Sequence, residues 1–122
     1  MARKQLFPGP DHPITITPTA QRVTVKIGDR IIADTTDALT LQEASYPAVQ
    51  YLPYDSVDPA VLRPSDTETY CPFKGDASYY SLVTDTGELT DAVWTYRAPY
   101  DAVVDIKDHV AFYPNKVAIT LG

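Results

Sequence analysis

Residues 22–33 read Arg22-Val23-Thr24-Val25-Lys26-Ile27-Gly28-Asp29-Arg30-Ile31-Ile32-Ala33. Val23, Val25 and Ile27 alternate with polar residues, the period-2 pattern of a half-buried strand. A second β-branched run follows the pair Gly28-Asp29. Two such runs joined by two residues, with Gly in the first central place, predict a β-hairpin closed by a type II′ turn. The same signals recur outward from this hairpin. Ile14 to Thr17 alternates on one side of it, and Ala38 to Glu43, with Leu39 and Leu41, and Val49 to Leu52 on the other. Ala77 to Val83, Ala92 to Tyr96, His109 to Tyr113 and Val117 to Leu121 read as strands from their β-branched and aromatic content. Asp85-Thr86-Gly87 and Pro114-Asn115 supply turns between them.

Helix has little room. Eleven prolines are dispersed along the chain, and each removes a backbone donor and clashes with the preceding turn. Asp58-Pro59-Ala60-Val61-Leu62 carries a capping residue followed by Pro at the first helical position, which predicts a single turn. Ala102, Val103 and Ile106 recur at helical spacing within Pro99 to Lys107, predicting a second short segment. The fold class is therefore all-β, an antiparallel domain with two short helical segments. At 122 residues the chain is near the commonest domain size, so residues 1–122 are expected to form a single domain.

Composition limits the partners. Ten basic residues against sixteen acidic ones give a net charge of −6, which opposes approach to phosphate backbones, so nucleic acid and anionic membrane are not expected partners. The N-terminus has no apolar run of signal-peptide length, and no stretch nears the ~18 apolar residues of a membrane helix. The single cysteine cannot close an internal disulfide, which fits a reducing compartment, with the cytoplasm as the expected location.

Chemistry concentrates in Tyr70-Cys71-Pro72-Phe73-Lys74-Gly75-Asp76-Ala77-Ser78-Tyr79-Tyr80. Pro72 and Gly75 predict a tight turn that holds the Cys71 thiol and the Lys74 ammonium on one side, where the cation would favour the thiolate. Cys71 and Lys74 are thus the candidate catalytic residues. The plainer alternative is a buried cysteine beside a lysine that snorkels to solvent. Tyr70 and Tyr79 flank the turn as candidate pocket walls, and Glu43, ending a strand, can present a carboxylate at a pocket rim. His109 completes the ligand-binding candidates, with a Cys71–His109 dyad conceivable in space. Trp94 is expected in the core.

Asp11-His12-Pro13-Ile14, Ile32-Ala33-Asp34-Thr35, Glu43-Ala44-Ser45-Tyr46-Pro47, the block from Tyr70 to Tyr80, Ala92-Val93-Trp94 with Tyr96, and His109-Val110-Ala111-Phe112-Tyr113 together resemble the domain-of-unknown-function family DUF427 over nearly the whole chain. The resemblance implies a small Mss4-like, tent-shaped β fold. That fold also hosts methionine sulfoxide reductases, but a shared fold does not carry a function with it. The family also bears a nucleotidyltransferase-like label, which the residues do not support. Nucleotidyl transfer needs closely spaced metal-binding carboxylates and a Gly-rich segment for the triphosphate. Asp66-Thr67-Glu68 is the only pair of that spacing, and it reads as a polar loop. Zinc hooks of the Cys-x-x-Cys kind are absent from the sequence, and nothing local groups Cys71, His12 and His109, so no metal or other cofactor is expected.

Two readings of function follow. One is a small-molecule pocket, enzymatic or binding only, around Cys71, Lys74, Tyr79 and Glu43. The other is a non-catalytic protein-interaction module that offers exposed Tyr and Pro residues to a partner. The oligomeric state is not encoded in any pattern of this sequence.

Overall fold

The computed structural model describes residues 3–122. Among these residues ten strands follow one another: β1 (Ile14–Pro18), β2 (Val23–Ile27), β3 (Arg30–Thr35), β4 (Leu39–Glu43), β5 (Val49–Pro53), β6 (Leu62–Cys71), β7 (Gly75–Thr84), β8 (Gly87–Thr95), β9 (His109–Phe112) and β10 (Ala118–Leu121). They form a seven-stranded sheet of order β1-β4-β5-β9-β8-β7-β6 and a three-stranded sheet of order β10-β2-β3. Every pairing within them is antiparallel. Among the described residues helix is confined to 3₁₀ segments at Tyr54–Ser56, Pro59–Val61 and Asp101–Ile106. The second and third are the two expected from sequence, and Asp58 caps the second by accepting from the Ala60 amide. Among the described residues no helix is long and apolar enough to cross a membrane.

The decisive hairpin forms as its sequence requires. Ile27 pairs with Arg30 across Gly28-Asp29, and Gly28 sits at φ +58° while Asp29 does not take positive φ, the combination of a II′ turn. Register shifts beside Val25, so Ile32 and Ala33 both turn inward and are buried, as a bulge allows.

The pleat divides the apolar residues between two cores. Val23, Val25, Ile32, Leu52, Leu82 and Val110 pack between the two sheets. Leu41, Tyr51, Ala77, Tyr96, Val103 and Ile106 pack on the other face of the large sheet. Neighbours along one strand therefore serve opposite cores: Tyr51 one and Leu52 the other, Ala111 one and Val110 the other.

The structure departs from the sequence reading at residues 62–71. Asp66-Thr67-Glu68 is not a loop but part of β6, at a register irregularity between Pro64 and Glu68. This strand is an edge with mostly exposed side chains on both faces, so it lacks an apolar alternation, and an edge tolerates its proline and its charges.

Candidate functional site

Strand register brings the first site residues together. Ile14 of β1 pairs with Glu43 at the end of β4, and the Ala44 amide donates to the Pro13 carbonyl at 2.8 Å. His12, two residues ahead of β1, is thereby held beside the Glu43 carboxylate, and His12 Nε2 lies 2.7 Å from Glu43 Oε2. The second contribution comes from the β6–β7 loop. Cys71 pairs with Gly75, and the Lys74 amide donates to the Cys71 carbonyl at 3.2 Å, closing the tight turn expected there. Gly75 at φ +109° completes it, and the Tyr100 amide donates to the Lys74 carbonyl. The Lys74 side chain points inward and its ammonium donates to Glu43 Oε1. Phe73 of the same loop stacks on the His12 ring, centroids 4.0 Å apart.

Glu43 is thus the hub of a His12–Glu43–Lys74 cluster. Burial pushes its carboxyl upward, but the hydrogen bonds from Lys74 and His12 outweigh that and hold it below the usual carboxylate range. Lys74 is 7% exposed, a depth at which an ammonium requires a counter-charge.

Glu43 and Lys74 open into a cleft of about 260 Å³ whose other walls include Tyr46, Tyr51, Tyr79, Trp94, Tyr96 and Tyr113. The Trp94 indole N–H donates to the Tyr51 hydroxyl at 3.1 Å, and the Trp94 and Tyr113 rings lie 4.6 Å apart. Burial, reinforced by the neighbouring Tyr79 hydroxyl, pushes the Tyr113 hydroxyl up to about 12. Burial likewise raises Tyr51 and Tyr96.

Of the residues singled out from sequence, Lys74, Glu43 and Tyr79 line this cleft together. Cys71 does not. It is half-buried and packs against the adjoining apolar cluster, and the cation proposed to activate it is held by Glu43. Tyr70 lies elsewhere, its hydroxyl 2.6 Å from that of Tyr100 and donating to the Lys4 carbonyl, with Arg3 over its ring. His109, at the start of β9, lies outside this cleft. Its Nδ1 is 2.8 Å from the Lys107 carbonyl, and it lines a broader cleft of about 600 Å³ with Tyr54, Tyr80 and Arg97. Adjacent Tyr79 and Tyr80 on β7 thus face different clefts, so the Cys71–His109 dyad is not assembled. Trp94 is a wall of the cleft rather than a fully buried packing centre. Among the described residues no cluster of three or more His, Cys, Asp or Glu is arranged to hold a metal ion.

Sequence reasoning did not select His12, Tyr46, Tyr51, Tyr96 or Tyr113. Only the β1–β4 register reveals His12, and the tyrosines look like ordinary strand aromatics until the sheet curves them around one space. A family model described as a domain of unknown function (DUF427) matches residues 15–121. No curated protein matches the chain.

Proposed function

The chain belongs to the DUF427 family, and from that premise and the cleft geometry we propose that it is a small-molecule-binding protein whose site is the aromatic cleft at Lys74. The observation that carries this reading is a buried ammonium, fixed by a carboxylate that is itself fixed by a histidine, at the wall of a cleft lined by six aromatic side chains. A solvent-facing lysine would serve solubility equally well at far lower desolvation cost, so burying it requires a paired partner and a use. The cleft is slightly below the ~300–1,000 Å³ usual for ligand sites, which favours a compact molecule over a nucleoside triphosphate. Five of the nine tyrosines line the cleft, which leaves fewer for the protein-interaction reading.

Trp94 is the only tryptophan, so its indole N–H gives one assignable NMR signal inside the cleft. A library of small aromatic compounds, neutral and of both charges, is expected to contain members that shift Trp94 and Tyr113 while leaving His109 and Tyr80 unmoved. A library in which no compound moves Trp94, or in which every hit maps to the His109 cleft, would overturn the proposal.

A further inference from the structure

The cleft presents hydrogen-bond donors that have no protein acceptor among the described residues. The Lys74 side chain is 9% exposed, and among the described residues its ammonium has one partner, Glu43, although an ammonium carries three donors. Tyr51 accepts from Trp94, and its own O–H has no acceptor among the described residues. Tyr96, 7% exposed, makes no side-chain hydrogen bond among them. Burial keeps both hydroxyls protonated at ordinary pH, so they remain donors. The acceptor side of the cleft is already committed. Glu43 is the only acidic residue in the lining, and its two oxygens face Lys74 and His12. A cationic ligand would have to displace one of those donors, whereas an anionic oxygen would accept from donors that have no protein acceptor among the described residues.

We propose that the ligand is a small carboxylic acid on a flat apolar body, bound oxygen-first by Lys74 and the hydroxyls of Tyr51 and Tyr96. This rests on the reading of the cleft as a small-molecule site and adds the chemical class of its occupant. The carboxylate takes the free N–H and O–H donors, and the apolar body lies along Trp94, Tyr79 and Tyr113. Glu43 stays ionised and keeps Lys74 in place, and its repulsion of the incoming anion is offset by the hydrogen bonds the ligand gains.

Benzoate, benzamide and benzylamine share one ring and differ in charge, which makes them matched probes. With the Trp94 indole signal as the readout, benzoate is expected to bind at least about tenfold more tightly than either of the others, the ratio typical of a charge-assisted hydrogen bond. Lys74→Met should erase the preference for benzoate over benzamide. Tyr51→Phe and Tyr96→Phe, which keep the shape of the walls and test the inference even if the lysine variant does not fold, should each weaken benzoate about threefold or more and leave benzylamine unchanged. Equal or tighter binding of benzamide or benzylamine at Trp94, no binding of benzoate there, or an unchanged benzoate affinity in both tyrosine variants would overturn the inference. The charge-blind library experiment decides separately whether the cleft binds small molecules at all.

Discussion

Glu43 shows how much one side chain can decide. Replacing it with Gln leaves the Lys74 ammonium buried without a counter-charge, and breaking a buried pair in this way costs about 3 kcal/mol. Urea denaturation of Glu43→Gln at neutral pH should show a loss of that order. The acid dependence has a definite sign. The folded carboxyl is held below its ordinary value of 4.5, so its contribution is complete above that value and fades as pH falls through the lower, folded one. Wild-type stability should therefore fall more steeply on acidification from about pH 5 than that of Glu43→Gln; parallel curves would show that the carboxylate contributes nothing. Cys71, half-buried and without a side-chain hydrogen bond among the described residues, is of another kind. Cys71→Ala should cost only about 1–2 kcal/mol and leave the Trp94 signal in place.

At the scale of elements, two turns test how the backbone serves the site. Gly28 and Gly75 both take positive φ, but at Gly28 an added Cβ would meet open space, whereas at Gly75 it would lie 3.4 Å from the Ala98 carbonyl oxygen. The φ of +58° at Gly28, the first central place of the II′ turn, strains a non-glycine residue by about 1 kcal/mol, with no neighbour for the added atom to meet. The φ of +109° at Gly75 has no comfortable counterpart for an L side chain, and strain of about 1–3 kcal/mol is expected. Gly75→Ala should therefore destabilise more than Gly28→Ala in thermal denaturation. It should also shift the Trp94 indole signal, because the strained residue follows Lys74 directly; Gly28→Ala, in the other sheet, should not.

At the scale of the whole molecule, the core between the sheets draws residues from β2 and β3 as well as from β5, β7, β8 and β9. Loss of the small sheet would expose one face of the large one, so calorimetry should record a single cooperative transition; two separated transitions would mean that the sheets melt independently. Chelator treatment should leave that transition where it is, since the described side chains form no metal-ligating cluster. The net charge of −6 should keep the protein from retarding DNA or RNA in a mobility assay at physiological salt.

The sequence by itself determined the β character, the β2–β3 hairpin, two of the 3₁₀ segments and the Cys71–Gly75 turn, because alternation, Gly at a turn position and Pro at a helix start act over a few residues. It marked Lys74, Glu43 and Tyr79 through local context. The edge strand β6 was hidden because an edge exposed on both faces needs no apolar pattern. Only the tertiary structure decided that Lys74 pairs with Glu43 rather than activating Cys71, that His12 completes the cluster, and that Tyr79 and Tyr80 part to opposite clefts. The physical reason is separation along the chain: Glu43 lies 31 residues from His12 and 31 from Lys74. Nothing in their local sequence carries the strand register and loop closure that place them in contact.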